Sequence, residues 1–307
     1  MSGFACFLAN EAMIHLRGQK ISAFLQGQLT CDTRKLTDTR AVMGALCNVK
    51  GRVLSDLTVL QVSDSHVILR LRKSLAPRIV ETLRRYAQFS RISVELDLRD
   101  QAIMGLREAG KPPGSQPEPA SGLSVLPGNT TLTLQRGPGL REILSVDPAS
   151  PADLSIAAGD SDGNNDDNTN ESNDENNQAR WALEILRGGH YALELDDLEG
   201  FTPQALNYDI RGLVAFDKGC YTGQEIVARL HYKGQSKRRL QVFEAACAAG
   251  LLIRETPVFS ADGKAVGRCL RAEHAADSPV LVATEIQSDH LGKDAYLVGG
   301  EHLKAQS

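Results

Sequence analysis

The pattern of apolar residues changes between the start and the end of the chain. In the first hundred residues, runs with the period of a strand alternate with helical spacing, and the clearest amphipathic helix begins near Ser74. From Leu240 onward the pattern predicts only short strands with tight turns, including a hairpin turn at Asp262-Gly263. Strands crossed by helices, followed by an all-β end, predict an α+β fold with a small C-terminal barrel or sandwich.

The same periodicity predicts the individual elements. Helices are expected over 21–29, from Ser74 onward, over 180–187 and over 225–232. The segments expected to be strands are 13–16, 41–48, 52–63, 66–72, 92–98, 213–216, 240–246, 258–260, 265–271, 280–286 and 296–298.

Two segments do not have the composition of a packed core. Residues 110–122 hold four prolines and three glycines and predict a surface loop. Residues 159–178 hold seven acids, seven asparagines and no base, which predicts a disordered insert. The spacing of Asp and Asn there is like that of a calcium loop, but Asn165 occupies the position of the turn glycine, so no metal site is predicted.

Charge and cysteine usage narrow the class of protein. The formal charge is −4, and because the insert carries seven acids, the rest of the chain is net positive. Six cysteines without a CxxC pair argue against a disulfide scaffold or a zinc ribbon. Neither a signal peptide nor a run of about 20 apolar residues is found, so a cytoplasmic protein is expected.

A short glycine-rich turn holds the residue with the clearest chemical potential. Cys220 lies between Gly219 and Gly223, after the apolar run over 213–216 and before a predicted helix. The glycines permit positive φ, and the helix N-terminus together with Lys218 favours a thiolate. A buried structural cysteine is the alternative, because no histidine base is adjacent in sequence.

This turn resembles a family signature. The sequence KGCYTGQE over 218–225, followed by IVARLHYKGQSKRRL, is similar to the signature of the YgfZ family of folate-binding proteins, relatives of the glycine-cleavage aminomethyltransferase (T-protein). Three further blocks agree with that family: FLQGQLT over 24–30 with Asp32, CNVKGRVLSD over 47–56, and the stretch from Trp181 to Asn207. The resemblance covers most of the chain outside 110–122 and 159–178.

The resemblance implies an aminomethyltransferase-like fold of small subdomains around a folate groove. Residues 1–239 would form the folate-binding region, with two α+β subdomains, the loop and the insert, and 240–307 the β-barrel. It implies tetrahydrofolate or a folate derivative as cofactor, bound by Trp181, Gln204 and Asn207. It also implies that Cys220 is the functional thiol, in a motif completed by Lys218, Gly219, Tyr221, Gly223, Gln224 and Glu225.

The chain departs from its relatives at three positions. Glu11 stands where the bacterial family has a second folate-binding aromatic residue, and Leu186 where the aminomethyltransferases have the acid that binds the pterin. Ser55 replaces one of two paired acids, which leaves Asp56 alone. Core packing is an alternative to pterin stacking for Trp181. A solvated or capping role is an alternative to catalysis for Asp56.

The resemblance implies a folate-binding accessory protein that supports assembly or repair of iron–sulfur enzymes, including enzymes that thiolate tRNA. The alternative is a folate-dependent aminomethyltransferase, against which Ser55 and Leu186 argue. An RNA-binding module using the bases over 229–239 is disfavoured, because aromatic residues make up only 5% and no RNA-binding signature is present; those bases could instead bind the polyglutamate tail of folate. Iron–sulfur client enzymes and folate are the expected partners, with no membrane, no direct nucleic-acid contact and a monomeric state.

Overall fold

Antiparallel strands are the main regular element among the described residues. The computed structural model describes residues 3–110, 123–128, 130–146, 170–245, 253–276, 278–297 and 301–305, and of 170–173 the backbone alone. The strands are β1 Phe4–Phe7, β2 Glu11–Arg17, β3 Arg40–Cys47, β4 Val53–Ser63, β5 His66–Arg72, β6 Ser93–Asp97, β7 Ile103–Arg107, β8 Leu123–Pro127, β9 Thr131–Gly137, β10 Leu140–Ser145, β11 Arg238–Ala245, β12 Pro257–Phe259, β13 Ala265–Glu273, β14 Val280–Gln287, β15 Ala295–Tyr296 and β16 His302–Ala305.

The first ten strands form one sheet in the order β1-β7-β10-β9-β8-β3-β4-β5-β2-β6. Its two halves meet where β3 pairs with β8, at Arg40 opposite Ser124 and Ala41 opposite Leu123. Strands β3 and β4 are buried almost throughout, because apolar side chains lie on both faces of the sheet. The sheet therefore supports one core on each face.

Four α-helices accompany the strands in the part of the chain that the structure describes: α1 Ile21–Gln26, α2 Ala76–Ala87, α3 Asn170–Arg187 and α4 Gln224–Lys233. The prediction for α2 is confirmed, since Ile79 and Leu83 are buried against the sheet. The predicted start of α3 is wrong: the helix begins ten residues earlier, so 170–178 of the expected disordered insert are helical. The loop at 111–122 and the rest of the insert lie outside the described residues.

Tertiary contacts explain the longer α3. Asn177 Nδ2 donates to the Ala5 carbonyl at 3.2 Å, and Asn176 Oδ1 accepts from the Ala276 N–H at 3.2 Å. These bonds join the first half of the helix to β1 and to the loop after β13. They offset the poor helix propensity of an Asn- and Asp-rich sequence.

The last six strands close into a barrel in the order β11-β14-β13-β12-β15-β16, with β16 returning to β11. The barrel-or-sandwich prediction is thus resolved as a barrel, closed by β16, a strand that the sequence did not suggest. Phe243, Val258 and Leu303 are fully buried in its core.

The apolar run over 213–216 is not a strand, contrary to the prediction. It is held as an irregular segment by Thr30, whose hydroxyl donates to the Leu213 carbonyl at 2.7 Å. The Ala215 N–H in turn donates to the Thr30 carbonyl at 2.9 Å. No helix among the described residues is long and apolar enough to cross a membrane.

Candidate functional site

A cavity of about 280 Å³ lies between the sheet, helix α3 and barrel strand β13. Its walls are of two kinds. One part is apolar and includes Leu8, Met43, Leu123, Leu140, Trp181 and Leu186. The other part is charged and includes Glu11, Asp56, Arg70, Arg72, Arg107, Arg136, Glu184, His190, Arg211, Arg271 and Glu273. Apolar walls with a few convergent polar groups are typical of a small-molecule site.

Trp181 forms part of the apolar wall. Its side chain is 5% exposed and packs on β7 at Gly105, where a Cβ would lie 2.6 Å from the ring. A larger residue at 105 would displace the indole, so this glycine allows the ring to approach the sheet closely. Core packing and ligand stacking are therefore compatible for Trp181, because the side chain is packed in the core and also lines the cavity.

Asp56 and His190 form a buried pair in the charged wall. Asp56 Oδ2 lies 2.9 Å from His190 Nε2. Burial raises the pKa of the Asp56 carboxyl, but His190 and Arg70 outweigh it and hold that pKa below its ordinary value. Burial lowers the pKa of His190 despite Asp56. The pair is therefore a carboxylate with a neutral imidazole, whose Nε2–H donates to Asp56 and whose Nδ1 is an acceptor.

An ion-pair network lies beneath this pair. The side chain of Glu142 has no exposed area and lies 2.8 Å from Arg70 and 2.9 Å from Arg136. Burial raises the pKa of Glu142, yet the two guanidinium groups outweigh it and the pKa stays below its ordinary value. Arg70 also pairs with Glu11 at 3.2 Å, and Glu11 pairs with Arg72 at 3.1 Å. The position of the missing aromatic residue is thus occupied by an acid that belongs to the network.

Arg211 differs from the other arginines of the wall. Its Nε and Nη1 atoms are buried without a hydrogen-bond partner among the described residues. Burial lowers the pKa of its guanidinium to about 10, with Tyr208 and Asp56 opposing that shift. Buried charged groups are normally paired, so an unpaired one beside a cavity indicates a place for a ligand.

Gln204 and Asn207, expected to bind the cofactor, do not line this cavity. Gln204 Nε2 donates to the Val227 carbonyl at 2.8 Å, and Asn207 Nδ2 donates to the Leu240 carbonyl at 2.8 Å. They connect their own segment to α4 and to the first barrel strand. Arg239 of the basic stretch is likewise ion-paired, to Asp209 at 2.8 Å.

The turn around Cys220 packs against the hairpin turn between β3 and β4. Gly223 has φ +83°, and a Cβ there would clash with the Asn48 carbonyl oxygen. A Cβ on Gly51 would lie 2.9 Å from Ile226 at the start of α4. The structure thus brings two of the sequence blocks, 47–56 and 218–225, into direct contact. Gln224 Oε1 accepts from the Tyr221 N–H at 3.1 Å and fixes the turn before the helix.

Cys220 is exposed, whereas the other four described cysteines are buried. Cys247 lies outside the described residues. Cys220 does not line the cavity. Glu225, in the first turn of α4, is also exposed. The alternative that Cys220 is a buried structural cysteine is wrong.

Two neighbours of Cys220 have other roles than those expected. Lys218 is buried and donates to the carbonyls of Leu29 and Cys31 at 2.6 and 2.7 Å. Burial lowers the pKa of this lysine to about 8. Gly219 does not have positive φ, and a Cβ there would meet open space. Lys218 therefore connects the turn to the block at 24–30. Of the two glycines that flank Cys220, only Gly223 is at a position that requires glycine.

Comparison with known proteins agrees with the sequence blocks. The tRNA-modifying protein YgfZ of Pectobacterium carotovorum subsp. carotovorum (strain PC1) is 30% identical over 239 residues, which are 76% of this chain and 68% of that relative. The chain belongs to the YgfZ family. The tRNA-modifying protein YgfZ of Escherichia coli O157:H7 (strain EC4115 / EHEC) is 29% identical over 238 residues, 76% of this chain and 69% of that protein. A scan against protein-family models finds no match.

A solved structure identifies the fold of this YgfZ-family chain. The glycine cleavage system aminomethyltransferase T from Bartonella henselae aligns with a TM-score of 0.68 at 16% identity, covering 99% of this chain and 85% of that one. The predicted α+β aminomethyltransferase-like fold with a C-terminal β-barrel is confirmed.

His190, Arg136 and Arg211 were not found by reading the sequence of this YgfZ-family chain. Arg136 did leave a signal, because it occupies a buried position in the alternating strand Thr131–Gly137. His190 and Arg211 follow glycine-rich or irregular segments and have no periodic pattern to mark them.

Proposed function

We propose that this protein is a folate-binding accessory factor that supports iron–sulfur enzymes, including enzymes that modify tRNA, through the thiol of Cys220. Membership of the YgfZ family and the names of its relatives support this role. The observation that carries it is the exposure of Cys220 in a turn built by several family-like blocks.

The contrast among the cysteines supports a special role for Cys220. Burial raises the pKa of Cys31 and of Cys47 to about 12, so both stay protonated at neutral pH. Since the thiolate is the reactive form, these two are inert. Cys220 is open to solvent in the turn that precedes α4, whose first residue is Gln224. A partner enzyme or its sulfur cargo can therefore reach this sulfur.

The cavity supports the folate part of the proposal. A bicyclic aromatic ring suits the apolar wall at Trp181, since ring stacking on aromatic faces is favourable. The unpaired atoms of Asp56, His190 and Arg211 suit the polar edge of such a ring. A bound folate would supply a carrier for one-carbon units, while the residues of this chain bind it and exclude water.

The aminomethyltransferase remains the second candidate. It is favoured by Asp56, the retained acid, which is ionised and lines the cavity. Release of formaldehyde or methylene-tetrahydrofolate from an aminomethyl donor, lost in Asp56→Asn, would support this candidate over the accessory role.

Binding is tested by titrating the full chain with tetrahydrofolate and following tryptophan fluorescence. Trp181 is the only tryptophan, so quenching reports the cavity directly. We expect saturable quenching, with binding by calorimetry retained but weaker in Trp181→Phe. Absence of binding by both methods contradicts the folate part.

The role of the thiol is tested in a strain that lacks the protein, by measuring thiolated tRNA nucleosides. Cys220→Ala should fail to restore them, whereas Asp217→Asn, at an exposed position in the same turn, should restore them. Full restoration by Cys220→Ala contradicts the proposal.

A further inference from the structure

Five side chains of the cavity wall have buried polar atoms without a hydrogen-bond partner within the part of the chain that the structure describes. Two of them, Glu11 and Arg70, still share an ion pair at 3.2 Å. The atoms of the other three are Asp56 Oδ1, His190 Nδ1, and Nε and Nη1 of Arg211. Native proteins leave few such atoms, and each one calls for an explanation. All three residues border the same cavity, so one ligand could pair them.

Arg211 is the most informative of the three. Arg70 and Arg136 share Glu142, at 2.8 and 2.9 Å. Arg211 has no ion pair with any described acid, although Asp56 is close enough to affect its pKa. Asp56 Oδ2 lies 2.9 Å from His190, and Oδ1 has no hydrogen-bond partner among the described residues, although the hydroxyl of Tyr208 is close enough that, after burial, Asp56 also raises its pKa. The guanidinium donor of Arg211 and the acceptor oxygen Oδ1 of Asp56 thus lie near each other without a hydrogen bond between them.

The chemistry of these groups defines what fits between them. A guanidinium only donates hydrogen bonds, and an ionised carboxylate only accepts them. A ligand that satisfies both presents an acceptor oxygen next to an N–H. A lactam edge, in which a ring N–H adjoins a ring carbonyl, has this arrangement.

We propose that Arg211 and Asp56 together recognise the lactam edge of a 4-oxo pterin. Arg211 donates to the carbonyl oxygen, and Asp56 accepts from the ring N–H. His190 is a positioning residue, which holds the other oxygen of Asp56. This assignment rests on the proposed folate binding, and it gives recognition of the ring to residues other than Leu186, which lies in the apolar wall.

The assignment predicts discrimination between two ligands of nearly the same shape. In 4-amino folates such as aminopterin, the carbonyl becomes an amino group and the neighbouring ring nitrogen loses its hydrogen. The amino donor would face the donors of Arg211, and the ring acceptor would face the carboxylate of Asp56. Both hydrogen bonds are therefore lost, because a donor faces donors at Arg211 and an acceptor faces an acceptor at Asp56.

The experiment compares folate and aminopterin, at the same oxidation state, by calorimetry on the full chain. The pH is chosen so that both rings are neutral. We expect folate to bind about 10- to 100-fold more tightly than aminopterin. Arg211→Gln should remove most of this preference, because its amide oxygen can accept from the 4-amino group. Arg229→Gln, on the exposed face of α4, is the control and should keep the preference.

A second variant separates recognition from folding. Arg211→Met replaces an unpaired buried charge by an apolar chain, so without ligand the melting temperature should stay the same or rise, while folate affinity falls about tenfold or more. Equal binding of the two ligands to the wild type, or equal weakening of both in Arg211→Gln, overturns the assignment while leaving folate binding intact. If neither ligand nor tetrahydrofolate binds the wild type, the folate part of the proposed function fails and the assignment fails with it.

Discussion

Replacement of Glu142 by Gln removes the central charge of the cavity network while keeping the shape of the side chain. Glu142 accepts from Arg70 Nη2 at 2.8 Å and from Arg136 Nε at 2.9 Å. Its second oxygen accepts from Arg136 Nη2 at 3.0 Å. In the variant, Arg70 keeps its ion pair with Glu11 at 3.2 Å, whereas Arg136 loses its carboxylate partner and keeps only neutral contacts, among them the hydroxyl of Thr58 at 3.2 Å and a sulfur contact.

The expected loss follows from burial of the unpaired guanidinium. Removing one partner of a buried ion pair costs about 3–5 kcal/mol of the free energy of unfolding. For a chain of this size, that loss lowers the melting temperature by roughly 5–8 °C. Because Arg70 and Arg136 border the cavity, the same variant should also weaken folate binding.

Thermal and urea unfolding followed by circular dichroism measure this loss, with Glu244→Gln at an exposed position of β11 as the control. The pKa of Glu142 lies below its ordinary value of 4.5 in the folded protein. Its contribution is therefore complete above that value and is lost as the pH falls through the lower folded pKa. The difference between wild type and variant should shrink in acid. If Glu142→Gln and Glu244→Gln have the same melting temperature at neutral pH, the network does not stabilise the fold.

Three further predictions test other parts of the molecule. Gly223→Ala should lower the free energy of unfolding by about 1 kcal/mol or more, seen as a lower urea midpoint, because its backbone has φ +83° and a Cβ would clash. Gly219→Ala, in open space, should not, and equal midpoints of the two variants refute the packing argument. In a Cys247→Ser background, which removes the cysteine outside the described residues, a thiol reagent should label one cysteine much faster than the buried ones, and Cys220→Ala should abolish that fast phase. If the fast phase persists, the reactive thiol is another cysteine. Burial lowers the pKa of His66 to about 4 from 6.5, so the unfolded chain binds a proton in that window that the folded chain does not. The free energy of unfolding should therefore decrease as the pH falls from 6.5 to 4, and it should decrease less in His66→Gln. If the wild type and the variant show the same pH dependence, His66 is not its cause.

The sequence predicted most elements of the fold because their signals are local. The strand over 66–72 has the bounds predicted for it, and the amphipathic pattern after Ser74 marked α2. The failures are places where tertiary contacts outweigh local preference. The first half of α3 is held by side-chain bonds from Asn176 and Asn177 to distant segments. The run over 213–216 has a strand-like composition, but Thr30 binds it as an irregular segment.

The candidate site also has one part that the sequence predicted and one part that it did not. The Cys220 turn could be recognised from sequence because its chemistry is contiguous. The cavity could not, since Asp56, Arg136, His190 and Arg211 come from four segments and only the fold makes them neighbours. A single polar residue in a strand or loop carries no spacing that identifies its partners.

The β3–β4 hairpin connects the two sites. Its turn, at Gly51, packs on Gly223 and the start of α4 beside Cys220, and its second strand carries Asp56 to the cavity. The Val53 N–H donates to the Phe201 carbonyl at 2.9 Å, which anchors the hairpin between the two. Cys220 does not border the cavity, so under the proposed function the thiol serves a partner outside while the ligand is held inside. A ligand that binds Asp56 therefore contacts the same hairpin that packs against the Cys220 turn.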